Sequence, residues 1–234
     1  MNLPNGAFRR FGQWAIGWGL ALAAWTALAQ AIPARVQPLP PPTVLVIGDS
    51  LSAAYGMNAA QGWVALTAER MARTHPGWRV VNASISGETS AGGAARIVQE
   101  VARHRPAVVV IALGSNDALR GLPLREMRRN LARMIGAAQG VGARVLLVGM
   151  RMPPNYGPEY TAEFERSFRD LAARFDTALV PFLLEPVALE RDAYQADNLH
   201  PVAAAQPRLR DHVWRALAPL LRGSAAAAGG SSQR

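Results

Sequence analysis

The feature that most constrains this chain is the segment TVLVIGDSLS at residues 43–52, in which four consecutive apolar residues run directly into Gly-Asp-Ser. A short, unbroken apolar run of this kind is typical of a strand buried on both faces of a parallel sheet. Ligands of open parallel sheets bind beyond the carboxyl ends of the strands, so Ser50 stands where a nucleophile would stand. Gly, Asp and Ser are also common turn formers, and the motif alone fits an ordinary turn.

Further runs with strand character follow, and stretches with helical periodicity separate them. The predicted strands span residues 79–82, 107–113, 143–150 and, more weakly, 177–180. Helices are predicted over residues 124–138 and 158–175 and around Leu209, Val213, Leu217 and Leu220, where apolar residues recur every three to four positions. Strands that alternate with helices predict an α/β fold, with a parallel sheet between two layers of helices.

The two ends of the chain differ from its middle. Residues 1–29 predict a secretory signal, because Arg9 and Arg10 precede an apolar segment that ends in the small-x-small sequence Ala27-Leu28-Ala29. An uncleaved anchor is the competing interpretation, although the apolar segment falls short of the roughly 20 residues that span a bilayer. Residues 30–42 are predicted as a Pro-rich linker, 43–222 as the folded domain, and 223–234 as a disordered tail. We therefore expect a periplasmic or secreted protein.

The composition excludes several kinds of chemistry. The chain has no cysteine, which rules out disulfides, a thiolate nucleophile and Cys-based metal sites. All 25 basic residues are arginine, and the lack of lysine excludes a P-loop and Schiff-base catalysis. The net charge of +9 would suit nucleic acid, but the arginines are dispersed and no nucleic-acid motif is present. We interpret the basic surface as solvated and expect no nucleic-acid partner.

Four stretches carry candidate chemistry, and three of them follow predicted strands. They are GDSLS at 48–52, ASISGETSAGG at 83–93, LGSND at 113–117 and DNLHP at 197–201. Gly87 lets backbone approach a ligand closely, and Asn116 can point its amide at a developing negative charge. Asp197 and His200 can form a general base with its orienting carboxylate. Turn or helix-cap roles would explain each stretch taken by itself.

Together the four stretches supply each part that serine-type acyl transfer needs. A serine is a weak nucleophile until a base, usually histidine, takes its proton. A carboxylate orients the imidazole, and N–H groups stabilise the oxyanion. The other histidines, His75, His104 and His212, fall at helix ends or inside a helix. None of them has the H-E-x-x-H spacing of a zinc site, so no metal is predicted.

The motifs are similar to those of the SGNH (GDSL) hydrolase family, and within it to the periplasmic thioesterases, lysophospholipases and arylesterases. They are GDSLSAAYG (48–56), VVNASISGETS (80–90), LGSNDALRG (113–121), RMPPNYG (151–157) and DNLHP (197–201). The resemblance implies a flavodoxin-like three-layer α/β/α sandwich with five parallel strands in the order 2-1-3-4-5. It also implies a triad of Ser50, Asp197 and His200, and an oxyanion hole formed by the Ser50 amide, Gly87 and Asn116. Ser115 departs from the Gly or Ala expected there, and we expect it to narrow the pocket slightly.

We therefore expect a secreted serine esterase or thioesterase that works through an acyl-enzyme without a cofactor or metal. Its expected partners are small-molecule or lipid acyl esters such as lysophospholipids, with transient membrane-surface contact and a monomeric state. A carbohydrate O-acetyl esterase with the same triad is the alternative. A non-catalytic binding protein on this fold is disfavoured, because a binder has no need of the full set of site residues. The loops at 118–123 and 152–160 are predicted to form the rim of the pocket.

Overall fold

The computed structural model describes residues 40–222, and the first strand begins at Thr43. The predicted signal segment, the predicted tail and most of the predicted linker lie outside the described residues. Residues 40–42, the part of the linker that is described, have no regular secondary structure. Within residues 40–222, no helix is long and apolar enough to cross a membrane.

A single sheet of five parallel strands, in the spatial order β2-β1-β3-β4-β5, forms the centre of the domain. The strands are β1 (Thr43–Gly48), β2 (Arg79–Asn82), β3 (Val108–Ala112), β4 (Arg144–Val148) and β5 (Ala178–Val180). The predicted α/β fold with the flavodoxin-like strand order is confirmed. Three of the predicted strands, at 107–113, 143–150 and 177–180, were longer than the observed ones by two, three and one residues.

Helices cover both faces of this sheet. They are α1 (Trp63–Thr74), α2 (Ser90–His104), α3 (Ser115–Leu119), α4 (Leu124–Gly140), α5 (Pro158–Phe175) and α6 (Gln206–Leu221). Helices α1 and α6 pack on one face, and α2, α4 and α5 pack on the other. The predicted helix over 158–175 matches α5 at both ends, and α4 runs two residues beyond its predicted end.

The apolar residues of β1 contribute side chains to the hydrophobic core on both faces of the sheet. Successive side chains of a strand point to opposite faces of the sheet. Val44 and Val46 accordingly pack with α1 and α6, whereas Leu45 and Ile47 pack with α2, α4 and α5. All four side chains are at most 2% exposed, as a strand buried on both faces requires.

The strand order reverses at β1, because the chain passes from β1 to β2 on one side and reaches β3 on the other. Such a reversal leaves a crevice beyond the carboxyl ends of the strands, where parallel sheets bind their ligands. We call the carboxyl ends of the five strands, with the loops that follow them, the carboxyl edge. The four candidate stretches all reach this edge.

Candidate active site

Ser50 is the second residue after β1, and backbone hydrogen bonds fix the turn that carries it. The Asp49 carbonyl accepts hydrogen bonds from the N–H groups of Ser52 at 3.1 Å and Ala53 at 2.9 Å. Asn82, at the end of β2, donates from Nδ2 to the Ser52 carbonyl at 2.8 Å. The serine therefore stands, partly exposed, at the carboxyl edge between β2 and β3.

The loop after β5 brings His200 and Asp197 to this serine. His200 Nε2 lies 2.8 Å from Ser50 Oγ, and its Nδ1 lies 2.7 Å from Asp197 Oδ2. Asp197 Oδ1 accepts hydrogen bonds from the backbone N–H groups of Leu199 and His200 at 2.9 and 3.0 Å. These two bonds, and then the bond to the His200 side chain, lower the pKa of Asp197 to about 2. A carboxylate ionised at neutral pH can hold the Nδ1 proton, which leaves Nε2 to accept the serine proton.

Two further side chains support His200. The ring of Tyr55 lies 4.5 Å from the imidazole of His200, tilted by 39°. Gln195 donates from its backbone N–H to the His200 carbonyl at 2.8 Å and from Nε2 to the Tyr55 carbonyl at 2.9 Å. The loop after β5 is thereby tied to the loop after β1, although Ser50 and His200 lie 150 residues apart. Tyr55 lies within the motif GDSLSAAYG but was given no role there, no motif contains Gln195, and sequence reasoning missed both contacts.

Two backbone donors of the predicted oxyanion hole have no hydrogen-bond partner among the described residues. Neither the Ser50 N–H nor the Gly87 N–H donates a hydrogen bond within residues 40–222. Gly87 has a φ of +78° and is the third residue of a turn that the Glu88 N–H closes onto the Ile85 carbonyl at 3.1 Å. A positive φ at this position of a turn favours glycine. Unpaired N–H groups beside a nucleophile are what an oxyanion hole requires.

Asn116 lies at the start of α3, directly after β3, and its side chain reaches the same region. Its Nδ2 donates to the Glu88 carbonyl at 3.1 Å and to Asp49 Oδ2 at 3.3 Å. The structure brings Ser50, Asn116 and His200 to the wall of one cavity, and Ser115 lines it too. Gly87 lies beside Glu88 in the adjoining loop and is not part of the cavity wall.

Asp49 is a charged group that sequence reasoning did not assign to the site. Its side chain is 2% exposed, and this burial raises the pKa of the carboxyl to about 6, although a 3.0 Å hydrogen bond from the Leu51 N–H acts in the opposite direction. Its place directly after a strand buried on both faces was the available signal. An acid there has to be buried or to face a ligand.

The cavity has a volume of about 480 Å³ and opens beside Ser50. Its walls are mainly apolar and include Leu51, Leu119, Met150, Met152, Pro153, Phe182, Leu184, Ala188, Tyr194 and Leu199. The predicted rim loops at 118–123 and 152–160 contribute Leu119, Met152 and Pro153. Much of the wall comes instead from Phe182, Leu184, Ala188 and Tyr194, which sequence reasoning had not linked to the pocket.

The other three histidines lie away from this cavity. His75 packs edge-on against Trp214, His104 Nε2 lies 3.3 Å from Glu100, and His212 Nε2 lies 3.0 Å from the Phe182 carbonyl. In the part of the chain from 40 to 222, no cluster of three or more His, Asp or Glu side chains is arranged to hold a metal ion.

With this geometry in place, comparison with known proteins identifies the class. The model of the GDSL-like Lipase/Acylhydrolase family matches residues 46–207, and the chain belongs to this family. The prediction of an SGNH/GDSL hydrolase is therefore confirmed.

Individual members of known function and structure show how similar the chain is to particular proteins. The chain is 53% identical over 179 residues to Esterase TesA of Pseudomonas aeruginosa, covering 76% of this chain and 89% of that protein. It is 39% identical over 180 residues to the thioesterase 1/protease 1/lysophospholipase L1 of Escherichia coli K12, covering 76% and 85%. A crystal structure of TesA matches with a TM-score of 0.74 at 53% identity, covering 76% of this chain and 99% of that chain.

Proposed function

We propose that this enzyme hydrolyses acyl esters and thioesters of lipid origin through an acyl-enzyme on Ser50. The observation that carries the proposal is the hydrogen-bonded chain Ser50–His200–Asp197, with links of 2.8 and 2.7 Å, beside an apolar cavity. All of these residues come from one chain, so the proposed chemistry needs no second copy and suits a monomer.

In the proposed first half-reaction, Ser50 Oγ attacks the acyl carbonyl while His200 Nε2 takes the serine proton. The resulting imidazolium is stabilised by Asp197 and returns the proton to the departing alkoxide or thiolate. In the second half-reaction, water attacks the acyl-enzyme, His200 takes a proton from the water, and Ser50 regains it as the carboxylic acid leaves.

The oxyanion of each tetrahedral intermediate is proposed to accept hydrogen bonds from the backbone N–H groups of Ser50 and Gly87 and from Asn116. The Asn116 amide has two hydrogens, and its bond to the Glu88 carbonyl is the shorter of the two observed. The 3.3 Å bond to Asp49 is weaker. We expect this second hydrogen to turn to the oxyanion, where negative charge strengthens the bond.

An apolar lining supports acyl chains as the group that enters the cavity. Polar groups in a binding pocket fix orientation, and apolar walls bind hydrocarbon. A panel of p-nitrophenyl esters, acyl-CoAs, lysophospholipids and an acetylated sugar would test the assignment. We expect catalytic efficiency to rise from acetyl to medium acyl chains. A preference for acetyl groups on sugars would favour the carbohydrate O-acetyl esterase instead.

The test of the mechanism is Ser50→Ala. We expect this variant to lose ester turnover and labelling by a fluorophosphonate probe while keeping the melting temperature of the wild type. Near-normal turnover by the purified variant would exclude Ser50 as nucleophile. Ser52→Ala is the matched control, because Ser52 lies two residues away and its buried Oγ makes no hydrogen bond to a described residue.

We also propose transient contact of the carboxyl edge with lipid surfaces. The large apolar side chains exposed among residues 40–222 are Tyr55, Ile85, Val98, Leu119, Leu122, Val141, Tyr156, Leu189 and Leu199. Seven of these nine follow the carboxyl end of a strand, and the exceptions are Val98 in α2 and Val141 after α4. Clustering of exposed apolar residues is typical of an interaction site, and lipid is the partner that the proposed substrate implies.

The two exceptions supply a matched control. We expect Leu122→Ser combined with Leu189→Ser to reduce cosedimentation with phosphatidylcholine vesicles and turnover of lysophosphatidylcholine. The same pair of changes should leave turnover of a soluble short-chain ester intact. Val98→Ser combined with Val141→Ser should change none of these, and equal losses in both double variants would contradict the proposal.

Secretion to the periplasm or medium is proposed from residues 1–29, which lie outside the described part of the chain. Cleavage after Ala29 would leave a mature protein that begins at Gln30, and cleavage after Ala31 one that begins at Ile32. Mass spectrometry of material from the periplasm tests this proposal. Recovery of the intact Met1 segment would support an anchor instead.

A further inference from the structure

One guanidinium holds both ends of the loop that carries Gly87. Arg96, on the second turn of α2, donates from Nη2 to the Ala83 carbonyl at 2.6 Å. It also makes two bonds to the Glu88 carboxylate, from Nε at 2.7 Å and from Nη2 at 2.5 Å. The Arg96 side chain is 17% exposed and that of Glu88 is 7% exposed. Two parallel hydrogen bonds between a guanidinium and a carboxylate fix the relative orientation of the two side chains and strengthen the interaction between them.

Glu88 in turn contacts both oxyanion donors that lie outside the nucleophile loop. Its backbone carbonyl accepts the 3.1 Å hydrogen bond from Asn116 Nδ2. Its preceding neighbour is Gly87, whose own carbonyl accepts a 2.8 Å bond from Nη2 of Arg120. A shift of Glu88 would therefore displace the Gly87 backbone and remove the partner that orients the Asn116 amide.

Stability alone is a poor explanation for this ion pair. A buried pair often contributes no more to the free energy of folding than apolar side chains of the same size would, because both charges lose their hydration. Pre-organised donors, by contrast, are the main source of oxyanion stabilisation, and small displacements of them are costly. Glycine has more backbone freedom to lose than any other residue, so a loop centred on Gly87 needs external restraint.

We propose that the Glu88–Arg96 ion pair positions the oxyanion hole by restraining Gly87 directly and Asn116 through the Glu88 carbonyl. Both are positioning residues, since neither touches the reacting atoms. This inference rests on the proposed acyl transfer at Ser50. A second carboxylate, Glu100, lies 3.6 Å from Arg96 Nη1 and itself pairs with His104 at 3.3 Å. Of these carboxylate contacts, the two to Glu88 are the shorter ones, and Glu88 is the carboxylate that belongs to the loop.

Two conservative variants test the proposal. Glu88→Gln keeps the shape of the side chain but loses its charge, and Arg96→Lys keeps the charge but loses the planar fork. We expect each to lower kcat for a soluble p-nitrophenyl ester by about 10- to 10²-fold, because misplacement of about 1 Å can be worth 10²-fold. KM should stay nearly constant, since the hole acts on the transition state.

An alkyl boronic acid provides a readout that a purely structural role would not move. Its tetrahedral adduct with Ser50 places an oxygen in the hole, so its affinity should fall by the same factor as kcat/KM. The control is Arg70→Lys, which alters an ion pair of the same charge type on the other face of the sheet, where Arg70 Nη1 donates a single 2.7 Å hydrogen bond to Asp211 Oδ1 between α1 and α6. We expect the control to change the melting temperature at most.

The outcomes are separable. In an Asn116→Ala background, Arg96→Lys should have a smaller effect on kcat, because part of what the ion pair positions is already gone. Wild-type kcat and boronate affinity per folded molecule in both Glu88→Gln and Arg96→Lys would overturn the positioning role. A wild-type protein without esterase activity, or an active Ser50→Ala variant, would instead overturn the proposed function.

Discussion

Two aspartates of the same site experience opposite environments. Asp49, next to Ser50, is 2% exposed, and burial raises its pKa to about 6. Asp197, which pairs with His200, is exposed, and hydrogen bonds from two backbone N–H groups and the His200 side chain lower its pKa to about 2. The site thus has one carboxyl that resists ionisation and one that resists protonation. Groups of one site whose pKa values are shifted in opposite directions commonly have different roles.

The difference between Asp49 and Asp197 reflects how the two loops that carry them are stabilised. The loop after β1 is an extension of the core, and Asp49 shares its burial. The loop after β5 lies at the surface, and hydrogen bonds within the loop fix its conformation. Asp197 accepts them from the backbone N–H groups two and three residues ahead. We therefore expect changes at Asp197 to act on chemistry and changes at Asp49 to act mainly on stability.

The largest expected effect belongs to Asp197→Asn. The amide can still accept the backbone bonds, but its NH₂ group would face His200 Nδ1 and leave the ring proton on Nε2, pointing at Ser50. We expect kcat to fall by about 10⁴-fold, the loss seen when the orienting carboxylate of a serine triad becomes an amide. Steady-state kinetics with a p-nitrophenyl ester measure this.

The control for that change is Asp192→Asn, an exposed acid in the same region after β5. We expect it to leave kcat within error of the wild type. A similar, modest loss of kcat in both variants would mean that Asp197 acts only on loop structure. Asp197 would then have no catalytic role to contrast with the structural role of Asp49.

A smaller effect is expected at Asn116, the side chain that touches Asp49. Asn116→Ala should lower kcat by about 10²–10³-fold with little change in KM, the usual result of removing one oxyanion donor. If Asn116 merely stabilises the start of α3, the variant should instead melt earlier and keep its turnover per folded molecule. Measuring kcat, KM and melting temperature on one preparation separates these results.

Asn58→Ala supplies the reference for a purely structural loss. Asn58 caps a short 3-10 turn through a 2.9 Å hydrogen bond to the Ala60 N–H, and it is exposed and not part of the cavity wall. Its removal should cost about 1 kcal/mol of stability, as the loss of a helix cap usually does, and leave kcat unchanged. An Asn116→Ala variant that behaves like Asn58→Ala would remove Asn116 from the site.

Sequence reasoning predicted the alternation of strands and helices because the relevant signals are local, whereas the strand order was implied by the family resemblance. The β1 run is apolar on both faces, and the Phe and Leu spacing of α5 needs no distant partner to be interpreted. Placement of the four motifs at one edge follows from the parallel sheet, since every strand ends there. Helix α1 was not predicted, because a polar residue interrupts its apolar pattern. Thr67 occupies one of its core positions and bonds the Trp63 carbonyl at 2.7 Å.

The rest of the site depends on contacts that no local pattern contains. The cavity wall after β5 is built from short irregular turns, whose residues have neither helical nor strand periodicity. Glu88 and Arg96 lie eight residues apart across a loop–helix junction. Their side chains meet only once the loop has folded, so the spacing by itself does not predict an ion pair. The environment of the Asp49 carboxyl likewise includes a residue distant in sequence, since Asn116 Nδ2 donates to Asp49 Oδ2 at 3.3 Å.

The smallest expected effect on turnover belongs to Asp49→Asn, which tests whether burial keeps the Asp49 carboxyl from ionising. The pKa of Asp49 is higher in the folded protein, at about 6, than its ordinary 3.8, so folding favours the protonated carboxyl. Its contribution to stability is therefore fully present below about pH 4 and lost as the pH rises through about 6. An asparagine is neutral throughout and does not suffer this loss.

The melting temperature of Asp49→Asn relative to the wild type should consequently rise between pH 4 and pH 7. All other titrating groups are shared by the two proteins, so the change in the difference isolates Asp49. Two pKa units correspond to about 3 kcal/mol at most, at 1.36 kcal/mol per unit. A difference that is the same at both pH values would mean that Asp49 ionises in the folded protein as readily as in the unfolded chain. Burial would then have no effect on its charge, and the two aspartates of the site would differ in exposure alone.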